Sequence, residues 1–166
     1  MGSRSGDLDP AIPFYLMRQS GVSAEEMERL LNSGSGLTGI CGTNDMREIQ
    51  RQAQNGDPRA ALALEMFCYR AKKYLGAYCA VLGRIDAVVF TGGIGENSAV
   101  VRDKVCAGLE RLEIRLDGRK NATAIGDVSA VQRDGSVAIL VIRTDEELEM
   151  ARQARELVAG ATAPAR

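Results

Sequence analysis

The stretch VVFTGGIGENSAVVRDKV, residues 88–105, sets a short apolar run directly before three closely spaced glycines. Val88, Val89 and Phe90 are β-branched or aromatic and suit a short buried strand. Gly92, Gly93 and Gly95 allow a tight turn and a close approach of backbone N–H groups to a ligand. Asn97 or Ser98 then caps a helix, whose free N–H groups and positive dipole end attract an anion. Strand, glycine turn and helix start together imply an α/β layer. The turn either cradles a phosphate or simply carries a buried strand into a helix.

Upstream of this stretch the sequence reads as helices. Pro10 to Gln19 is a short one. Ser23 opens a second, where Ser23 and Glu26 form a capping box and Met27, Leu30 and Leu31 make a buried stripe. Residues 32–45 (NSGSGLTGICGTND) carry four glycines and read as a loop. Asp45 caps a helix through Gln54, and Asp57-Pro58 starts the longest one, to about Leu82. On that helix Ala61, Leu64, Cys68, Ala71, Leu75 and Cys79 fall three and four residues apart, a continuous apolar face. Downstream, a helix is expected from about Ser98 to Arg111, strands at Leu112–Leu116 and within Val137–Ile142, and a last helix from Asp145 to Val158. Helices alternating with strands in the second half argue for an α/β fold. Three or four strands make a narrow sheet, so an incomplete sheet flanked by helices is expected.

Bulk properties exclude several functions. The chain has 166 residues, a net charge of −1, 4% aromatic residues and no tryptophan, so neither a basic nucleic-acid surface nor a base-stacking platform is present. Histidine is absent, which removes histidine general bases, Ser–His–Asp systems and histidine-containing zinc sites. The cysteines at 41, 68, 79 and 106 form no C-x-x-C pair, and Cys68 and Cys79 read as reduced core thiols. No signal peptide or long apolar segment is evident, so a cytoplasmic protein without membrane contact is expected.

Four stretches in order, MGSRSGDLDPAIPFYL, SGLTGICGTNDMREI, AVVFTGGIGENSAVVR and RTDEELEMAR, resemble the C-terminal part of the acetate and propionate kinase family. The resemblance implies a ribonuclease-H-like domain of the kind found in actin-like ATPases. It also implies transfer of the ATP γ-phosphoryl to acetate, with Mg2+, to give acetyl phosphate and ADP. The family's N-terminal signature, its catalytic histidine and aspartate, its carboxylate pocket and its Gly-Asn-Gly hairpin do not occur here. Residues 1–158 are therefore expected to be the second kinase domain without its first strands, and 159–166 a disordered tail. The implied partners are acetate, ATP and the missing N-terminal half, and homodimers are usual in the family.

Matched position by position, the resemblance makes Arg4 the residue that binds the transferring phosphoryl, a role suited to a permanently charged fork. It makes Asp45, Met46 and Arg47 the adenosine segment, and Gly93, Ile94, Gly95, Glu96 and Asn97 the ATP loop. Glu146 becomes the Mg2+-associated carboxylate, with Asp145 standing where the family usually has Asn and Thr144 as the helix N-cap. Plainer readings accompany these: a solvated Arg4, Asp45 as a helix cap, Met46 as packing, and Glu146 as a first-turn acid favoured by the helix dipole. The loop is G-G-x-G-x-N, which fits neither the dinucleotide fingerprint nor a Walker A loop. The alternative to a kinase is a non-catalytic fragment that binds nucleotide or self-associates.

Overall fold

A computed structural model describes residues 2–161. Its first half is helical: α1 (Ala11–Ser20), α2 (Ala24–Ser33), α3 (Gly36–Cys41), α4 (Met46–Gln54) and α5 (Pro58–Leu82). The caps lie where the sequence puts them. Ser23 Oγ accepts from Glu26 N while a Glu26 carboxylate oxygen accepts from Ser23 N. Asp57 Oδ1 accepts from Arg59 N at 2.8 Å and Ala60 N at 3.1 Å, Pro58 supplies the pre-set φ of a first turn, and Gly83 ends α5 at φ +74°.

The second half holds β1 (Ala87–Phe90), α6 (Gly92–Asn97), α7 (Ala99–Cys106), α8 (Gly118–Ala122), β2 (Val128–Ala130), β3 (Ala138–Ile142) and α9 (Glu146–Ala161). The three strands form one mixed sheet in the order β1-β3-β2. β1 runs parallel to β3, with Val88 opposite Ile139, and β2 runs antiparallel to it, with Ser129 opposite Val141. The architecture is the α/β layer expected, with a narrow sheet. Among the described residues no helix is long and apolar enough to cross a membrane.

Two apolar clusters hold these elements together. One packs Leu37, Met46, Ile49, Leu64, Cys68, Val101 and Val105 between α3, α4, α5 and α7. The other packs Cys79, Val88, Cys106, Ile114, Val131, Ile139 and Val141 around the sheet. Both reach Leu75 and Phe90, so the end of β1 lies where the clusters meet. Burial of one such Leu, Ile or Val stabilises by about 1.5–3 kcal/mol.

Several expectations are corrected. The glycine-rich segment 32–45 contains α3, because fully buried Leu37 anchors it and Thr38 N donates to Gly2 O; packing overrides the low helix propensity of glycine. Residues 112–116 form no strand: a 3-10 turn ends at Leu112, Glu113 adopts φ +61°, and only a Leu116–Gln132 bridge remains. The helix expected from Ser98 to Arg111 stops at Cys106, with Gly108 at φ +79° just beyond. Val89 is 49% exposed, because successive side chains of β1 point to opposite faces and the clusters pack against the face of Val88 and Phe90. Leu30 of the expected α2 stripe is likewise exposed, and Met27 alone of that stripe is buried. α9 runs to Ala161, and the rest of the expected 159–166 tail lies outside the described residues.

Candidate functional site

The glycine run is itself helical. Thr91 is extended, Gly92 takes φ +70° and residues 92–97 form α6. Such a φ is strained for any side-chain-bearing residue. Gly95 serves a different need: a Cβ there would stand 3.2 Å from the Phe90 carbonyl carbon. α6 therefore folds back tightly on the strand that precedes it. Ser98, 5% exposed, then caps α7 by accepting from Val101 N at 3.1 Å.

Two clefts flank α6 and share Gly93. The first, about 540 Å3, is lined by Asn44, Asp45, Met46, Arg47, Gln50, Gly93, Ile94, Asn97 and Ser98. The second, about 870 Å3, is lined by Gly92, Gly93, Glu96, Asp127, Arg143, Thr144, Asp145, Glu146 and Glu147. Residues from α4, α6 and the start of α9, far apart in sequence, thus meet around one turn. Asp45, Met46, Arg47, Gly93, Ile94, Asn97, Glu96 and Glu146 all line one cleft or the other, whereas Gly95 is the packing glycine beneath them.

Each member has a defined local state. Asp45 is indeed the α4 cap, accepting from Arg47 N at 2.9 Å, and its carboxylate also holds the Arg47 fork through Nε at 3.0 Å and Nη2 at 2.7 Å. Those bonds, the side-chain ones foremost, hold the Asp45 carboxyl down to about 2. Met46 combines packing with lining: it is 5% exposed yet borders the first cleft. Arg47 is largely exposed, free to present its face to a planar ligand while its edge stays on Asp45.

The Glu96 carboxylate, at the border of the second cleft, is engaged by the protein's own donors. Its Oε1 accepts from Gly92 N at 2.9 Å, Thr144 N at 2.9 Å and Thr144 Oγ1 at 2.8 Å. The Thr144 bonds, backbone first, lower its pKa. One carboxylate oxygen thereby clips the glycine run to the connection between β3 and α9. Thr144 is accordingly not the α9 cap. Asp145 takes that place, its Oδ1 accepting from Leu148 N at 2.9 Å, because the threonine hydroxyl is already committed to Glu96.

Glu146 stands beside Asp127, Asp145 and Glu147 in the second cleft. Among the described residues no three acidic or cysteine side chains gather as a closed metal cage. Oxygen donors of this kind do fit Mg2+, which keeps several waters and takes one or two carboxylates together with phosphate oxygens. Arg4 is exposed and lies outside both cleft linings. Its backbone neighbours are pinned, however: Ser3 O accepts from Ser35 N and Ser5 N donates to Leu31 O, each at 2.9 Å.

Two contributors escaped the sequence reading. Arg102 is 2% exposed and donates to Gly95 O, Glu96 O, Asn121 Oδ1 and Asn121 O. Asn121, 4% exposed, in turn donates to Ala99 O at 2.9 Å. A signal was present. Arg102 sits one residue after Val101 and three and four before Val105 and Cys106, all buried, so a charged residue falls on the inward face of an apolar helix.

Residues 1–152 match the family model described as the Acetokinase family. The acetate kinase of Syntrophobacter fumaroxidans is 60% identical over 154 residues, covering 92% of this chain and 38% of that protein. The acetate kinase of Streptomyces avermitilis is 54% identical over 159 residues, 95% of this chain and 39% of that protein. The crystal structure of Porphyromonas gingivalis acetate kinase superimposes with a TM-score of 0.87 at 41% identity, covering 95% of this chain and 40% of that one. A propionate kinase from Francisella tularensis gives 0.84 at 42% identity, over 91% of this chain and 38% of that one. The chain spans about two-fifths of the length of the curated relatives it matches.

Proposed function

The chain belongs to the acetokinase family, and from that premise we propose that it forms the nucleotide-side wall of an ATP-dependent acetate kinase, as its C-terminal part. The observation that carries the reading is the sharing of Gly93 by two clefts, one bordered by Asp45, Met46 and Arg47 and the other by Glu146. In this reading the first cleft takes the adenosine, with Arg47 against the base and Asp45 accepting from ribose hydroxyls. Gly93 and Ile94 lie in the first turn of α6, where N–H groups have no intrahelical acceptor and can meet phosphate oxygens. The phosphates extend into the second cleft. There Glu146 would hold Mg2+, which when bound neutralises phosphate charge.

The reaction is transfer of the γ-phosphoryl to an acetate oxygen. A carboxylate is ionised at neutral pH and needs no general base, so catalysis rests on positioning and charge stabilisation. Arg4 is assigned to the transferring phosphoryl; its pinned backbone neighbours support a fixed origin for that side chain. The parts that bind acetate are assigned to the remainder of the enzyme, so this chain alone is expected to bind nucleotide without turning over. The full enzyme is read as a cytoplasmic homodimer.

Calorimetric titration with ATP, with and without Mg2+, tests the site, and a hydroxamate assay for acetyl phosphate tests turnover. Heat with ATP that strengthens with Mg2+, and no hydroxamate, is the expected pair of results. No heat at millimolar ATP would reduce the chain to a structural module, and hydroxamate formation by the chain alone would overturn the assignment of acetate binding elsewhere.

A further inference from the structure

A buried arginine bonded only to neutral groups needs a reason. Arg102 has lost its water and has no carboxylate among its acceptors, which are three carbonyls and one side-chain amide oxygen. A leucine or methionine on the same inward face of α7 would pack there with no charge to desolvate. What the guanidinium alone supplies is a rigid fork of donors.

Two of those donors' targets lie in the segment least able to hold itself. α6 contains three glycines in six residues, and glycine is among the poorest helix formers. Its closing carbonyls, Gly95 O and Glu96 O, both accept from Arg102 Nη1 at 2.8 Å. A cation at the last carbonyls of a helix satisfies them and opposes the dipole. The other edge of the fork is fixed on Asn121, with Nε to Oδ1 at 2.6 Å and Nη2 to the backbone oxygen at 2.9 Å. Asn121 is itself anchored on Ala99 O. The chain α6–Arg102–Asn121–α7 is thus closed on itself beneath the turn, while Gly95 presses on Phe90 from the strand side.

We infer that Arg102, braced by Asn121, is a positioning residue that sets the backbone of the glycine turn facing both clefts. Its importance for ligand binding rests on the nucleotide reading given above; its effect on the turn does not. The Arg102→Lys chain keeps the charge and most of the stem but cannot reach all four acceptors. Amide shifts from 15N NMR report the turn, and ADP titration reports the ligand, both well below the unfolding temperature. In R102K the amides of residues 92–97 are expected to move while those of Gly42 and Gly56 stay. ADP affinity is expected to fall roughly tenfold to a hundredfold, the loss associated with a charge-assisted hydrogen bond. A folded R102K chain with unmoved turn amides, or with moved amides and unchanged ADP affinity, overturns the inference. Absence of ADP binding by the unaltered chain refutes the nucleotide reading instead, and the turn amides still judge Arg102. Should R102K fail to fold, Asn121→Ala repeats the test, with a smaller displacement of the same amides expected and none counting against.

Discussion

At Glu96 a single oxygen accepts from Gly92 N, Thr144 N and Thr144 Oγ1, so the charge of one side chain and the closure of the turn are linked. A carboxylate whose folded pKa lies below its ordinary 4.5 contributes stability above that value. The contribution is lost as pH falls through the folded pKa. Glu96→Gln has no ionisation to lose. Its thermal midpoint should lie below that of the unaltered chain at neutral pH, and the gap should close as pH drops below the ordinary glutamate value. A gap that stays constant across this range in melting curves would mean that the carboxylate charge is irrelevant to the clip. Glu96 was legible in the sequence as part of the turn, because it directly follows Gly95 in the stretch that resembles the family's phosphate loop. Its partner Thr144 was not, since the two are 48 residues apart.

Among the elements, α2, α4 and α5 were readable because each is opened by a local cap. Ser23, Asp45 and Asp57 each satisfy N–H groups two or three residues ahead, and a pattern that short is complete in the sequence. Asp57→Ala removes two bonds from the first turn of α5 and should cost about 1 kcal/mol, read as a lower urea midpoint. Because Asp57 borders neither cleft, nucleotide binding should be unchanged, and a parallel loss of affinity would show that α5 and the site are coupled. α8 escaped the reading although Asp117 caps it locally, accepting from Arg119 N and Lys120 N; α3, α6 and β2 were not readable at all. Glycine-rich α3 and α6 are held by buried Leu37 and by Arg102, and β2 exists through pairing with β3. None of those causes lies within the element itself.

Across the whole molecule the two apolar clusters have different relations to the clefts. Ile49 and Ile114 are both fully buried. Ile49 packs α4, whose N-terminus carries Asp45, Met46 and Arg47, into the helical cluster, whereas Ile114 belongs to the sheet cluster. Ile49→Ala and Ile114→Ala should each cost about 2–5 kcal/mol by the atoms removed and the cavity left. Urea unfolding would measure that. ADP titration below the transition should show weakened binding for I49A and retained binding for I114A; equal losses would mean that the site depends on global stability rather than on α4. Spacings of a few positions suffice for the long helices α2, α4 and α5, their caps, the apolar face of α5, and the strands β1 and β3. The convergence of α4, α6 and the start of α9 on Gly93, the clip from Glu96 to Thr144 and the bearing of Arg102 on the turn from beneath arise only on folding. Such contacts depend on which distant segments share a buried face, and that is settled by packing rather than by local pattern.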